Sequence, residues 1–316
     1  MSRRTRQPAG TAPAGGFRSG FVALVGRPNV GKSTLLNALV GERVAIATPR
    51  PQTTRTRIRG VVHRPGCQIV FVDTPGIHTR SWQLNRFMLG EARAALGEVD
   101  LAVLLVEARG RGSRPEEDDE DRLVLELLAE AGVPALLAIN KIDTLADKGQ
   151  LLPLMQAYAS LGRFEELIPV SALREEGLEP LLAAIVARLA EGPAYFPEEL
   201  YTDQPERQMV AELVREAAML RTEDEIPYCL AVQVDAFEEQ PDRGLVRILA
   251  TVFVERESQK GILIGKGGRH LKEIGTAARR AIEQLLERKV FLGLTVKVAP
   301  DWSRTAGGLR KVGYEP

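Results

Sequence analysis

The chain has 316 residues, 44% of them hydrophobic, and its 42 basic residues equal its 42 acidic residues in number. This length predicts about two domains of ordinary size, and the balanced charge excludes a protein that is basic throughout, as a coat for nucleic acid would be. Two widely separated cysteines, apolar runs far shorter than the ~20 residues of a membrane span, and a start without a secretory signal predict a soluble, cytoplasmic protein without disulfides.

Residues 1–18 are mostly Arg, Pro, Ala, Gly and Thr, and we expect a disordered tail there because little in it can be buried. Short β-rich runs then alternate with helical stretches. The predicted strands are 21–25, 69–72, 101–106, 135–139 and 167–170, and the predicted helices are 33–40, 84–96, 121–131, 151–160 and 178–189. This alternation predicts an α/β domain over residues 19–190, with a mostly parallel sheet and helices on both faces.

A second domain is predicted after a proline-rich linker over residues 191–205. The order of elements changes there to a helix over 208–220, strands over 228–237 and 246–254, a helix–glycine-rich turn–helix unit over 260–286, and a strand over 294–298. This α-β-β-α-α-β order predicts a separate α+β domain over residues 206–316.

A phosphate-binding loop follows the first predicted strand. Residues 26–33 read GRPNVGKS and fit GxxxxGK[ST], in which backbone N–H groups and the start of the next helix bind phosphate oxygens. We expect Lys32 to bridge the β- and γ-phosphates and the Ser33 hydroxyl to ligate Mg²⁺. A glycine-rich turn that binds nothing is the alternative. The candidate nucleotide-binding residues here are Gly26, Arg27, Pro28, Asn29, Val30, Gly31, Lys32, Ser33 and Thr34.

The next apolar strand ends in a DTPG motif, made of Asp73, Thr74, Pro75 and Gly76 and followed by Ile77. Asp73 is placed to hold Mg²⁺ through water, and the Gly76 amide is placed to meet the γ-phosphate. Between the two motifs lies the polar loop PQTTR, residues 51–55, which suits a Mg²⁺-dependent switch. Thr54 is the candidate metal-sensing hydroxyl, with Thr53 as the alternative.

Two further loops predict selection of guanine. The motif NKID, formed by Asn140, Lys141, Ile142 and Asp143, closes the strand 135–139. The Asp143 carboxylate can accept from guanine N1–H and the exocyclic amine, a pair of donors that adenine does not present. Asn140 is expected to support the loop and reach N7, and the Lys141 stem to lie across the base. The last loop holds Ser171, Ala172 and Leu173, and its Ala172 amide can donate to guanine O6. GTP and GDP are therefore the predicted ligands, rather than ATP.

In this order the motifs resemble the bacterial Era family of ribosome-associated GTPases, along nearly the whole chain from residue 20. The segment GILIGKGG, residues 261–268, contains GxxG after an Ile-rich helix end and resembles a type II KH domain. Residues 301–302 and 309–314 are also similar to the end of that family. The resemblance implies that the ligand of this domain is the 3′ end region of 16S rRNA, and that the protein assists 30S ribosomal subunit assembly.

The RNA site predicted on this basis combines glycines with positive charge. Residues 259–316 hold twelve basic and five acidic residues, a local excess that suits an anionic partner, although basic solvated helix faces would give the same composition. The candidate RNA-binding residues are Gly265, Lys266, Gly267, Gly268, Arg269 and Lys272. An apolar groove is expected to receive unstacked bases, with Ile262, Leu263, Ile264 and Leu271 as candidates, most of them equally suited to the core.

Hydrolysis is predicted to be slow, because Ile77 stands where many GTPases place a water-orienting Gln. The catalytic candidates are Lys32, Thr54, Gly76 and Asn29. Resemblance to GTPases with a hydrophobic residue at this position implies that Asn29 helps to hold K⁺ beside the phosphates. The alternatives are that Asn29 only satisfies the backbone of its own loop, or that His78 positions water.

Three functions are compatible with the sequence. In the favoured hypothesis, GTP binding by a monomer changes how the KH domain meets rRNA. In the second, RNA binding is the main activity and the nucleotide is a structural clamp. In the third, the protein is a GTP-dependent membrane or division factor with a peripheral, charge-mediated contact, because Era-like proteins are also associated with the inner membrane.

Overall fold

The computed structural model describes residues 16–77, 83–108, 118–162 and 164–314. Residues 1–15 of the predicted disordered tail lie outside these ranges, and so does His78. The described residues form two units, each with its own sheet and its own buried core.

The first unit alternates strands and helices. Its strands are β1 Arg18–Val25, β2 Ile58–Arg64, β3 Cys67–Asp73, β4 Leu101–Glu107, β5 Ala135–Asn140 and β6 Leu167–Pro169. Its helices are α1 Lys32–Val40, α2 Gln83–Leu96, α3 Asp119–Ala131, α4 Leu151–Leu161 and α5 Leu178–Arg188. The strands are ordered β2-β3-β1-β4-β5-β6, and all neighbours are parallel except β2, which is antiparallel to β3.

Helices cover both faces of this sheet, so β3 and β5 are buried along their whole length. On one face, α1 and α5 pack through residues such as Leu36 and Ile185. On the other face, α2, α3 and α4 pack through Ala92, Leu127 and Tyr158. The predicted fold class of this unit is confirmed.

The edge strand β2 has no counterpart among the predicted strands, because its sequence IRGVVHR mixes charged residues with a glycine. Gly60 lies against α1, where a Cβ would lie 2.7 Å from Leu36 Cδ1 and would displace that side chain. The outer edge of β2 is covered by residues 191–205, and the Val61 N–H donates to the Tyr201 carbonyl at 2.9 Å. The stretch predicted as a linker therefore lies along the sheet and protects an edge that would otherwise be unpaired.

The second unit contains α6 Glu206–Met219, β7 Ala231–Gln240, β8 Leu245–Val254, α7 Glu257–Ile264, α8 Arg269–Leu286, β9 Lys289–Val298 and α9 Ala306–Lys311. Its sheet is ordered β7-β8-β9, with β7 antiparallel and β9 parallel to β8. The predicted α-β-β-α-α-β order is confirmed. The last strand begins five residues before its predicted start, and α9 is an additional helix.

Helices α6 and α8 cover one face of this second sheet. In α8, Ile274, Ala278 and Ile282 recur every four residues on one face and have no exposed surface. They share a core with Val214 and Ala218 of α6. This packing holds the two helices as one layer.

The two units are joined by a mixed apolar cluster. Leu84 and Met88 of α2 pack with Trp302 and Leu309 near the C-terminus. The Leu84 N–H donates to the Ser303 carbonyl at 2.9 Å. The helix that follows the DTPG segment is therefore anchored on the second unit.

Within the four described ranges, no helix is both long enough and apolar enough to cross a membrane.

Candidate active site and nucleic-acid interface

The loop between β1 and α1 has the backbone shape of a phosphate cradle. Gly26 and Gly31 have φ values of +152° and +99°, and Asn29 also has a positive φ of 62°. A Cβ on Gly31 would lie 2.3 Å from the Asn140 side-chain nitrogen, so only glycine fits. Helix α1 begins at Lys32 and directs its N-terminal N–H groups toward the loop.

Lys32 is buried at the base of this loop. Its Nζ donates to the carbonyl oxygens of Gly26 and Arg27, both at 3.0 Å. Burial lowers the pKa of Lys32 to about 8, and the nearby Asp73 carboxylate partly opposes that shift. A phosphate anion beside Nζ would favour the charged form, which makes this lysine suited to a triphosphate.

The three predicted Mg²⁺ ligands meet at one point. Ser33 Oγ donates to Asp73 Oδ2 at 2.7 Å, and Thr54 Oγ1 donates to the same oxygen at 3.1 Å. The two hydroxyl oxygens are 2.8 Å apart. The structure therefore brings together residues from the phosphate loop, the PQTTR segment and the end of β3.

The donor set fits a magnesium ion. Asp73 is fully buried, and its Oδ1 has no hydrogen-bond partner among the described residues. Burial raises the pKa of Asp73, and the charge on Lys32 limits that rise. An unpartnered buried carboxylate oxygen is costly, and a hard cation that takes carboxylate and hydroxyl oxygens would satisfy it.

Thr54, rather than Thr53, reaches this point. Thr53 Oγ1 donates to the Arg50 carbonyl at 2.7 Å and also pairs with Thr48, so it stabilises the turn of its own segment. We call residues 47–55 the switch segment. Asn29 Nδ2 donates to the Pro49 carbonyl at 3.1 Å, so the Asn29 side chain is hydrogen-bonded to the switch segment.

Gly76 and Ile77 have different surroundings. A Cβ on Gly76 would lie 2.8 Å from Pro28 Cα, so glycine lets the DTPG backbone approach the phosphate loop. The Ile77 side chain is buried in the core cluster that includes Ala92. It lies in hydrocarbon, where it cannot orient an attacking water.

The base-reading loops are tied together by Asn140. Its Nδ2 donates to the Val30 carbonyl at 2.8 Å, and its Oδ1 accepts from the Ala172 N–H at 2.9 Å. Ser171 Oγ donates to Asp143 Oδ1 at 2.5 Å. The carboxylate is thereby held in place, whereas the Ala172 amide, expected to donate to guanine O6, is engaged by Asn140 in this structure.

The sequence did not point to an ionic network beside this site. Glu107, at the end of β4, binds Arg27 at 3.0 Å and Lys141 at 2.9 Å. Arg27 also lies 3.6 Å from Asp118 and 3.7 Å from the buried Asp121. These pairs fix the phosphate loop to the NKID loop, and no contiguous motif signals them.

Leu173 is the exposed member of the last loop, with 78% of its surface accessible.

The second unit holds the switch segment through two buried arginines that sequence reasoning also missed. Arg55 donates to the Leu230 carbonyl at 2.5 Å and lies 5.4 Å from the Trp302 ring centroid. Arg215 of α6 donates to the Thr53 carbonyl. The residues on either side of the Thr54 hydroxyl are thus bonded to the second unit.

The glycine-rich loop between α7 and α8 is shaped for close approach by a backbone. Gly265, Gly267 and Gly268 have φ values of 70°, 62° and 76°, which glycine adopts without strain. A Cβ on Gly267 or Gly268 would meet nothing within 4 Å. The side chains of Lys266, Arg269 and Lys272 beside it are exposed.

A groove of about 850 Å³ runs from this loop between α8 and β9. Leu271, Lys272 and Phe291 are among its lining residues, and Phe291 is 54% exposed. β9 is the edge strand of its sheet. Of the four apolar candidates only Leu271 lines the groove. Leu263 lies in the core, Ile264 packs against that core, and Ile262 is exposed on α7.

Two family models match the chain. Residues 21–141 match the 50S ribosome-binding GTPase family, and residues 225–303 match the KH domain family. The GTPase Era of Geotalea uraniireducens is 50% identical over 299 residues, which are 95% of this chain and 98% of that protein. The GTPase Era of Syntrophus aciditrophicus is 51% identical over 298 residues, 94% of this chain and 95% of that protein.

Two crystal structures resemble both units together. An Era variant from Aquifex aeolicus bound to GDP and AlF4⁻ has a TM-score of 0.89 and 38% identity, and covers 95% of this chain and all of that one. Era in complex with MgGDPNP and nucleotides 1506–1542 of 16S ribosomal RNA has a TM-score of 0.90, with the same identity and coverage.

Proposed function

The chain belongs to the Era family of GTPases, and from this premise we propose that it is a GTP-controlled switch that binds the 3′ end region of 16S rRNA and assists assembly of the 30S subunit. The observation that carries the proposal is the position of the switch segment. It contributes Thr54 to the phosphate side and is bonded on its other side to the KH domain. A change at the phosphates therefore bears on both domains.

In the proposed GTP complex, the loop 26–34 surrounds the phosphates and Lys32 leaves its carbonyl partners for the β- and γ-oxygens. The Gly76 amide donates to the γ-phosphate. Asp143, held by Ser171, accepts from the guanine edge, and Asn140 keeps that loop against the phosphate loop. Ala172 reaches guanine O6 only if its bond to Asn140 opens, so we expect this loop to adjust when the base binds.

Ser33, Thr54 and Asp73 would hold Mg²⁺, which neutralises charge on the phosphate oxygens. The support is the shared position of the three oxygens and the unpartnered Asp73 Oδ1. In the relative crystallised with RNA the bound nucleotide is MgGDPNP. We expect GTP affinity of the Thr54→Ala variant to depend less on Mg²⁺ than that of the unchanged protein.

Hydrolysis is proposed to proceed by charge stabilisation without a water-orienting side chain from the DTPG segment. Because the buried Ile77 side chain cannot orient water, catalysis relies on Lys32 and the backbone amides of the phosphate loop, which stabilise negative charge on the phosphates. We further propose that Asn29 helps to hold K⁺, because its carboxamide lies at the junction of the phosphate loop and the Pro49 carbonyl. Hydrolysis in KCl should then exceed that in NaCl at equal ionic strength, and Asn29→Ala should abolish the difference. Equal rates in both salts would remove K⁺ from the mechanism.

The KH domain is proposed to bind single-stranded RNA with its backbone along Gly265–Gly268. Lys266, Arg269 and Lys272 would neutralise phosphates, and bases would enter the groove beside Leu271 and Phe291. A groove lined by both apolar and basic residues suits unstacked bases attached to a charged backbone.

The deciding experiment measures affinity for an RNA oligonucleotide of the 16S 3′ end with a GTP analogue, with GDP and without nucleotide. A switch requires different affinities, whereas a structural clamp gives the same value in all three states. Crosslinking to RNA in cells then tests the partner, and recovery of mainly non-ribosomal RNA would contradict the assembly role.

We propose that the protein acts as a cytoplasmic monomer. The resemblance to Era proteins is the basis for adding a peripheral contact with the inner face of the membrane, and with it a link to growth and division. Flotation with anionic vesicles tests this contact, and a protein that remains at the bottom of the gradient contradicts it.

A further inference from the structure

Arg221 and Thr222, which follow α6, contact the switch segment on one side and the start of α8 on the other. On one side, Arg50 of the switch segment donates from Nη2 to the Thr222 carbonyl at 3.0 Å. On the other side, the His270 Nε2 atom lies 2.8 Å from the carbonyl oxygen of Arg221. Two adjacent peptide carbonyls thus lie within hydrogen-bonding distance of residues from different domains.

His270 extends this contact to the RNA loop. Its Nδ1 lies 2.9 Å from the Ile262 carbonyl oxygen, in the last turn of α7. A Cβ on Gly265 would lie 2.6 Å from the His270 Cβ, so the first glycine of the loop packs directly on this residue. His270 also follows Arg269, the first residue of α8. Its position therefore bears on both ends of the glycine-rich loop.

Residues 221–222, which lie between these contacts, are hydrogen-bonded to the end of α6. Thr222 is buried, and its hydroxyl donates to the Ala218 carbonyl at 2.8 Å. The Arg221 N–H donates to the same carbonyl at 3.2 Å. Since Ala218 lies in the core shared by α6 and α8, these hydrogen bonds tie residues 221–222 to that core.

Arg50, by contrast, belongs to a segment that the phosphate site holds through side chains. The Arg50 carbonyl accepts from Thr53, next to the Thr54 hydroxyl at Asp73, and the adjacent Pro49 carbonyl accepts from Asn29. Movement of either contact displaces Arg50. Arg50 is in turn tied to the segment after α6 by a charge-assisted hydrogen bond to the Thr222 carbonyl.

We propose that residues 221–222, together with Arg50 and His270, form the joint that transmits the nucleotide state to the RNA loop. The proposal rests on the proposed switch function and deepens it by naming the residues that carry the coupling. Arg50 and His270 act as positioning residues. They determine the position of the glycine-rich loop relative to α6, and they act without contacting nucleotide or RNA.

The test measures the coupling ratio, defined as RNA affinity with a non-hydrolysable GTP analogue divided by RNA affinity with GDP. The probe is an RNA oligonucleotide of the 16S 3′ end. Arg50→Ala and His270→Ala should each bring the ratio about three- to tenfold closer to one. The double variant should lose no more than the larger single loss, since both residues act in series. Arg50→Lys keeps a charged donor and should recover part of the ratio.

Matched controls come from the edge strand β2. Arg59 binds Asp203 at 2.8 Å, and the His63 ring lies 2.9 Å from the Leu200 carbonyl, so each joins the first domain to residues 191–205 away from this joint. Arg59→Ala and His63→Ala should leave the ratio unchanged. If these control variants reduce the coupling ratio as much as Arg50→Ala and His270→Ala do, a general loosening of the domain contact explains the effect, and the proposed joint is wrong.

The outcomes separate the two claims. A ratio of one in the unchanged protein overturns the switch function itself. A ratio different from one that survives in Arg50→Ala and His270→Ala leaves the switch intact and overturns the joint. Additive losses in the double variant also contradict a single path.

Discussion

The phosphate site and the RNA site are built in opposite ways. Lys32, Ser33, Thr54 and Asp73 each have less than a tenth of their surface exposed, and they bond mainly to one another and to backbone. Lys266 and Lys272 are exposed beside an open groove. Electrostatic interactions are stronger in a buried site than at the surface, where water and salt screen them. Single substitutions should therefore be severe at the first site and graded at the second.

The largest effect is expected from Lys32→Met, which removes the buried charge but keeps an apolar stem. Loss of one buried, preorganised phosphate ligand should lower kcat for GTP by about 10²- to 10³-fold. Steady-state hydrolysis measures it. Lys148→Met, at an exposed lysine, is the control, and a loss below tenfold at Lys32 would mean that the buried site is less preorganised than its geometry indicates.

Asp143→Asn should change base selection nearly as strongly. The carboxamide presents a donor to the guanine amine, so GTP affinity should fall by about a hundredfold or more, while xanthosine triphosphate, which offers an acceptor there, should bind better. Competition between the two nucleotides measures the reversal. If GTP stays preferred, Asp143 does not face the base.

Titration of Lys32 gives an intermediate effect. Its pKa is lowered from the usual value near 10.5 to about 8, so between these pH values the nucleotide-free folded state binds fewer protons than the unfolded state. The free energy of unfolding contributed by this group should therefore rise with pH across that window, by an amount on the order of 3 kcal/mol.

Denaturant unfolding from pH 7.5 to 10.5 should show this rise in the unchanged protein and lose it in Lys32→Met. GTP affinity should move the other way, falling by up to about tenfold per pH unit above 8, because the triphosphate prefers the charged amine. A GTP affinity that is constant over this range would contradict the role of Lys32.

The smallest effects are expected at the RNA rim. Lys266→Ala or Lys272→Ala should weaken RNA binding only a few-fold and reduce the salt slope by about 0.7, the value for one phosphate contact with a single strand. Affinity measured from low to high salt gives this slope. Loss of a hundredfold at either lysine would show that the RNA site, too, depends on single contacts, and the contrast between the sites would fail.

Much of the architecture follows from local patterns. The five predicted strands of the first domain and the three of the second all appear in the structure, because apolar runs between turn residues identify buried strands. The edge strand β2 escapes this reasoning. Its residues 60–62 are buried, but Arg59 and Arg64 interrupt and end the apolar run, so the strand lacks the continuous hydrophobic pattern of the central strands.

The candidate site divides in the same way. Motifs such as residues 26–33 and 140–143 are contiguous, so the chemistry of phosphate and base recognition can be read from neighbouring letters. Which of two adjacent threonines reaches Asp73 depends on how the switch segment folds over the phosphate loop, and spacing leaves that choice open. The bonds of Thr53 to its own turn resolve it.

Neighbouring residues thus specify which ligands the two domains can take, because a cradle, a carboxylate or a glycine turn is complete within a few positions. The contacts between the domains come from pairs such as Arg215 with Thr53 and Arg55 with Leu230, which lie more than 150 residues apart. The local sequence around an arginine does not show whether its side chain faces solvent or binds a carbonyl from another domain. Its partner is chosen only when the packed cores bring distant backbone groups within hydrogen-bonding distance and exclude the water that would otherwise take their place.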